Sequence, residues 1–223
     1  MYMYFVREEG MEKLNLVIRH YNKVKPMHCT IVSGDTQKVF TVKLCEEEKN
    51  GAEILKGDPV LIGFLNSDET LYLSGGNVVG AIPKEEEYII HANNPENIAF
   101  ETERRQYERF PTSLTGEIKL ANSSKREPIC IKDFSYAGMC IYSTDDFNKE
   151  DEVEISAFLS NSVIKYDATI VRKTVNFGRC EYGVQLMHRD KNSMYSTQNQ
   201  LTSFILSEKE IMYRHLLSAN FKL

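Results

Sequence analysis

No apolar run in the chain approaches the roughly 20 residues needed to span a bilayer. The longest, Pro59-Val-Leu-Ile-Gly-Phe-Leu65, is the size of a strand. A basic leader is missing too: Met1-Tyr-Met-Tyr-Phe-Val-Arg7-Glu8-Glu9 has neither the charged start nor the extended apolar core of a secretory signal. A cytoplasmic protein without membrane insertion is therefore expected. The five cysteines, Cys29, Cys45, Cys130, Cys140 and Cys180, include no Cys-x-x-Cys pair. Their odd number and wide scatter argue against a disulfide framework and against a zinc site, and Cys130 and Cys140 read as core filler within apolar runs. Positive charge is not in surplus either. The 27 lysines and arginines stand against 32 aspartates and glutamates, and a net charge of −5 excludes general coating of DNA. With 42% apolar and 26% charged residues in 223, the chain is not disordered, and its length fits one large domain or two small ones.

Catalytic constellations are equally scarce. Gly75-Gly76-Asn-Val-Val-Gly80 has the glycine spacing of a phosphate loop, but Ala81-Ile82 stands where Lys and Ser or Thr are required. A hairpin turn is expected there instead. The five histidines contain no His-x-x-x-His pair, and no Gly-x-Ser-x-Gly presents a nucleophile. His28 and Cys29 are neighbours, yet neighbours on a strand face opposite ways and cannot converge on one atom. The runs Glu46-Glu47-Glu48 and Glu85-Glu86-Glu87 read as solvated loops. Nothing here favours an enzyme.

What the chain does contain is β-prone sequence. From about Met27 to Ala92, short runs alternate with turn residues, including His28–Val32, Lys38–Leu44, Pro59–Leu65 and Thr70–Leu73, as in an all-β barrel or sandwich. Met11 to Tyr21 fits a helix through Leu14, Val17 and Ile18 and a strand through Leu14, Leu16 and Ile18, so its type stays open. Asn93-Asn94-Pro95-Glu96-Asn97 begins a polar, turn-prone linker. A second β-rich block follows, with clear alternation in Val153, Ile155, Ala157, Leu159 and in Ile164, Tyr166, Ala168, Ile170. The tail changes period. Leu201, Phe204, Ile205, Ile211, Met212 and Leu216 predict an amphipathic helix packed on the barrel in preference to a partner, although an exposed stripe on it would leave a homodimer open.

One local feature contradicts the acidic background: Arg104, Arg105 and Arg109 fall within six positions ahead of Pro111. A guanidinium offers five donors in a rigid fork that matches phosphate oxygens or the O6/N7 edge of guanine, and it stacks on a purine. Arg105 and Arg109 would share a helical face, but Pro111 disfavours helix at Phe110, so a loop running into a strand is equally compatible. Surface pairing with Glu101, Glu103 and Glu108 is the bland alternative, worth roughly 0 to 1 kcal/mol. Two dozen residues on, Asp133, Ser135 and Gly138 form a tight polar turn between two β-prone runs. A carboxylate can accept from guanine N1 and N2, a hydroxyl can donate or accept, and glycine permits either close backbone approach or positive φ.

Arg105-x-x-x-Arg109 followed by Asp133-x-Ser135-x-x-Gly138, further strands, Tyr182-Gly183-Val184-Gln185-Leu186 and a final helix resembles the PilZ family of cyclic di-GMP receptors. The likeness covers roughly Glu103 to Tyr213. It implies a six-stranded β-barrel on which Arg105 and Arg109 grip guanine edges and phosphates while Asp133, Ser135 and the Gly138 turn hold a base. Arg104 adds a guanidinium suited to a second, intercalated cyclic di-GMP, giving two ligands per protomer. The amino-terminal block is similar to the barrel preceding PilZ in flagellar-brake (YcgR-like) proteins, through Leu55-Lys-Gly57-Asp58-Pro-Val-Leu-Ile62.

The expected fold class is all-β: two β-barrel domains, the amino-terminal one split-barrel-like and the carboxy-terminal one the six-stranded PilZ barrel, plus a carboxy-terminal α-helix. The domains are 1–96, a linker with the arginine motif at 97–110, and 103–223. Neither a cyclase nor a phosphodiesterase signature is present, so the resemblance implies a non-enzymatic receptor without cofactor. It would bind cyclic di-GMP at the domain junction and reorient the barrels to regulate a downstream protein in motility, exopolysaccharide synthesis or secretion, such as a flagellar motor component or a polysaccharide synthase. The competing readings are a ligand-independent interaction scaffold and, more weakly, a flavin-binding amino-terminal barrel.

Overall fold

The computed structural model describes residues 15–23, 25–45, 54–65, 70–82, 84, 86–93, 107–159, 162–176 and 178–220. Glu46 to Glu48, Glu85, Arg104, Arg105 and most of the expected linker lie outside the described residues. The strands β1 (Asn15–His20), β2 (Met27–Gly34), β3 (Val39–Leu44), β4 (Pro59–Leu65), β5 (Leu71–Ile82) and β6 (Glu87–Ala92) close a barrel in the order β1-β2-β3-β6-β5-β4. A second closed barrel, in the order β10-β11-β12-β9-β8-β7, is built from β7 (Phe110–Leu120), β8 (Glu127–Ser135), β9 (Gly138–Ser143), β10 (Glu152–Leu159), β11 (Ser162–Asn176) and β12 (Arg179–Leu186). Every pairing in both is antiparallel. Helix α1 (Lys191–Asn220) follows. The chain divides into two compact units at Arg104/Arg105 and again within α1 at Glu208/Lys209. No helix among the described residues is long and apolar enough to cross a membrane.

In the amino-terminal barrel the element left open by periodicity is the strand β1. Leu16 and Ile18 point into the core with Phe40, Val60 and Ile90, while Val17 on the opposite face packs with Leu61 against Met212 and Leu216 of α1. Three consecutive buried apolar residues carry no alternation, which is why helix and strand could not be separated. Gly75 and Gly76 are not a hairpin turn. They lie inside β5, paired with Leu61 and Val60, and a β-carbon on Gly76 would come within 2.8 Å of Ile62 Cδ1 and 3.0 Å of Ile90 Cγ2. Glycine here makes room for core isoleucines.

Asp58 organises the entrance to β4. It is fully buried, and its carboxylate accepts from Leu55 N–H at 2.6 Å, His20 Nε2 at 3.0 Å and Tyr21 Oη at 2.9 Å. Asn22 N–H donates to His20 Nδ1 at 3.3 Å, which puts the ring hydrogen on Nε2, facing Asp58. Burial alone would raise the Asp58 pKa, but the hydrogen bonds from His20, Leu55 and Tyr21 outweigh it and hold the group below its ordinary value. His28 and Cys29 do face opposite ways: Cys29 is in the core, and the His28 ring stacks on His215 at 4.9 Å.

The carboxy-terminal barrel keeps the alternation that its sequence shows. Val153, Ile155, Ala157, Ile164, Tyr166, Ala168 and Ile170 all enter one core, which Leu201 and Phe204 of α1 cap. All five cysteines are free thiols. Cys130 and Cys140 are buried but do not fill that core: Ile129, Ile131, Met139 and Ile141 do, and strand alternation turns the cysteines to the outer face.

Candidate ligand-binding site

The outer face of this barrel carries the polar motifs. Tyr107 to Arg109 is irregular chain that feeds directly into β7, so of the two conformations open to the arginine motif its described part takes the loop. Pro111 has no N–H for the sheet, and the β7–β8 register shifts between Pro111 and Leu114. Pro111 pairs with Asp133, placing Arg109 beside the carboxylate. Arg109 Nη1 donates to Asp133 Oδ1 at 3.0 Å, with side-chain exposures of 26% and 23%. The guanidinium is thus oriented by one oxygen and keeps other donors for a ligand.

Ser135 and Gly138 close the β8–β9 hairpin as a register pair around Tyr136 and Ala137. The Ser135 hydroxyl donates to the Gly138 carbonyl at 3.0 Å and accepts the Gly138 N–H at 3.2 Å. It is buried, so its direct work is to shape the turn. Of the two uses of glycine, the structure takes close approach: a β-carbon on Gly138 would lie 2.4 Å from the Val184 carbonyl oxygen.

Residues outside the expected set of ligand contacts complete the surroundings. The Tyr107 ring rests on Tyr136 at 4.2 Å, tilted by 51°. His188 Nε2 donates to the Tyr136 carbonyl at 2.5 Å, and Leu186 N–H donates to the Ala137 carbonyl at 3.0 Å, fixing the tip of the hairpin. Burial and the neighbouring Tyr107 push the Tyr136 phenol up, so it stays a neutral donor. Together with Gln185 these groups, Arg109, Ser135 and Gly138 line a cavity of about 460 Å³. Tyr107 lies within the arginine motif, Tyr136 within the turn motif, and Gln185 and Leu186 within the Tyr182–Leu186 run, whereas His188 had no positional signal in the sequence. A second hollow, of about 320 Å³ beside Leu159, Ile164 and Phe204, has no charged side chain in its lining. Among the described residues no group of three or more His, Cys, Asp or Glu side chains could hold a metal ion.

Asp133, Ser135, Gly138 and Arg109 are therefore brought together on one hairpin and its neighbouring arm, while Arg104 and Arg105 lie outside the described residues. The arrangement combines a forked cation, a carboxylate acceptor and aromatic faces around an open cavity. Its chemistry suits a planar, hydrogen-bonding ligand.

No curated protein matches the sequence. Among solved structures, the chain is similar to the Bacillus subtilis inhibitor of motility MotI/DgrA, with 13% identity, 89% of this chain and 99% of that chain covered, and a TM-score of 0.40. It is also similar to Escherichia coli YcgR in complex with c-di-GMP, with 12% identity, coverages of 89% and 86%, and a TM-score of 0.40. A third is the K. pneumonia MrkH–c-di-GMP complex, with 13% identity, coverages of 89% and 90%, and a TM-score of 0.42. The PilZ domain family matches residues 103–207, from the arginine motif through the barrel into α1. That match spans both polar motifs and all six strands of the carboxy-terminal barrel, and this part of the chain is a PilZ domain.

Proposed function

We propose that the chain is a cytoplasmic, non-enzymatic cyclic di-GMP receptor whose PilZ barrel binds the dinucleotide through Arg104, Arg105, Arg109, Asp133, Ser135 and the Gly138 turn. The observation that carries this reading is the 3.0 Å bond from Arg109 to Asp133 beside the Ser135–Gly138 turn, at the edge of an open cavity. Guanine offers N1 and N2 donors to a carboxylate and an O6/N7 edge to an arginine fork, and the two phosphates add negative charge for the remaining guanidiniums. Ser135 contributes by holding the turn that brings Gly138 against the neighbouring strand.

Arg104 and Arg105 fall on the connector between the two barrels. Ordering that connector around the ligand would reorient one barrel relative to the other and change the surface offered to a downstream protein in motility, exopolysaccharide synthesis or secretion. Calorimetric titration of the full chain with cyclic di-GMP tests the receptor reading: binding that weakens in R109A and D133A supports it, and no binding, or wild-type affinity in both variants, overturns it. Saturation at two equivalents supports an intercalated pair, and saturation at one removes it. Scattering profiles should differ with and without ligand; identical profiles at proven saturation defeat the reorientation and leave the receptor standing.

A further inference from the structure

Two strand irregularities meet on the outer face of the PilZ barrel. The β8–β9 register shifts between Ile131 and Asp133, and the β11–β12 register shifts between Ile170 and Arg172. A bulge puts two consecutive side chains on one face. Ile131 and Phe134 both enter the core, so Lys132 and Asp133 share the outer face. On β11 the core-facing series ends at Ile170, and a β-carbon on Gly183 would touch both Val171 and Arg172, which share that face in turn. The paired row reads Asp133, Cys140, Gly183, Arg172 across β8, β9, β12 and β11. Three strand spacings of about 4.8 Å separate its ends by about 14 Å. Between them stand only a small side chain and none at all.

Arg172 is seated at the far border of this strip. A β-carbon on Gly183 would lie 3.2 Å from Arg172 Cβ and 3.5 Å from its Nε, so the stem rests where Gly183 leaves space. Its head donates from Nη2 to Glu181 Oε1 at 3.1 Å, while Lys132 Nζ donates to Glu181 Oε2 at 3.0 Å. Two cations on one carboxylate leave a net positive charge. The Glu181 side chain is 8% exposed and that of Arg172 is 50% exposed, so the guanidinium is anchored from below and open above. Arg109 and Asp133 offset one another at the opposite border, which makes Lys132 and Arg172 the source of the positive field on this belt.

We propose that Arg172 is a further ligand-binding residue of this surface, on whose guanidinium plane one guanine of cyclic di-GMP stacks. The proposal rests on the receptor reading above. A positioned guanidinium stacks on a purine, and a lysine ammonium at the same place supplies charge without a plane.

Calorimetric titration of the full chain with cyclic di-GMP in wild type, R109A, R172A and R172K tests it. R172A and R172K should each bind about tenfold more weakly than wild type, and R172K, which can keep the ion pair with Glu181, should melt at the wild-type temperature. Wild-type affinity in R172A, alongside a loss in R109A, overturns the proposal and leaves the receptor reading intact. Wild-type affinity in R172K, which can keep the ion pair with Glu181 should R172A fold poorly, overturns stacking. Absence of binding in wild type overturns both.

Discussion

Arg109 and Asp133 stand 24 positions apart in the sequence and 3.0 Å apart in the fold. Their bond ties the chain entering β7 to β8, so Arg109 and the hairpin motif form one unit before any ligand arrives. A pair that is about a quarter open to solvent, with side-chain exposures of 26% and 23%, contributes on the order of 1 kcal/mol to stability. A desolvated contact to a base contributes roughly 1–3 kcal/mol to binding. R109A should therefore weaken cyclic di-GMP binding by about 10- to 100-fold while shifting the melting temperature little. Calorimetry and thermal unfolding on the same preparation separate the two; a large fall in stability with equal affinity would make the pair a structural strut.

Gly138 tests the hairpin from the other side. Its missing β-carbon is all that separates it from the Val184 carbonyl oxygen, which is backbone and cannot swing aside. G138A must push β9 away from β12, an overpacking cost of about 1–3 kcal/mol, and should also disorder the Ser135–Gly138 exchange. Loss of both stability and ligand affinity is expected. S135A should be milder, near 1 kcal/mol, because only one hydroxyl's bonds are removed. Urea unfolding that ranks S135A below G138A in stability would contradict this account.

The sequence disclosed this barrel unevenly, for reasons visible in single residues. Strands β10 and β11 have one face in the core, so Val153 to Leu159 and Ile164 to Ile170 alternate and could be read directly. Strand β1 could not, because Val17 packs under α1 while its neighbours fill the barrel. Gly76 looked like a turn because nothing local distinguishes a glycine that bends the chain from one that yields space to Ile62. The same limit hid the outer-face row: the bulges beside Asp133 and Arg172 show in the sequence only as a skipped beat between Ile131 and Phe134 and an extra Val171. Asp133, Ser135 and Gly138 were legible because a short polar turn motif survives without knowledge of packing. Arg172 was not, since its neighbours Gly183 and Glu181 come from another strand.

Asp58 makes a prediction for the amino-terminal barrel alone. It accepts from a backbone amide, a buried imidazole and a phenol, so D58A strands three donors. Breaking a buried charged network in this way costs roughly 3 kcal/mol. D58N keeps one acceptor oxygen and should fall between D58A and wild type. Urea unfolding followed by hydrogen exchange at β1 and β4 reads the effect, and wild-type stability in D58A would remove Asp58 from its role at the β4 entrance.

Acid sensitivity of the PilZ barrel should trace to Glu181. Burial by itself would raise its pKa, yet the Lys132 charge, with hydrogen bonds from Lys132, Tyr142 and Asn176, outweighs burial and holds the carboxyl below its ordinary value of 4.5. Lys132 shows the reciprocal effect: burial would lower it, but the ionised forms of Tyr142 and Glu181 raise it above the ordinary lysine value. A carboxylate whose folded pKa is depressed stabilises the fold fully above its unfolded pKa, and that stabilisation disappears as pH falls through the folded value. The stability difference between wild type and E181Q should thus be constant above about pH 5 and shrink progressively below it, as protonation makes the wild-type side chain resemble glutamine. Urea midpoints for both proteins, measured from neutral pH into the acid range, decide the matter. A difference that stays the same throughout would mean that the Glu181 charge contributes nothing, and that Lys132 and Arg172 are held on this face by packing.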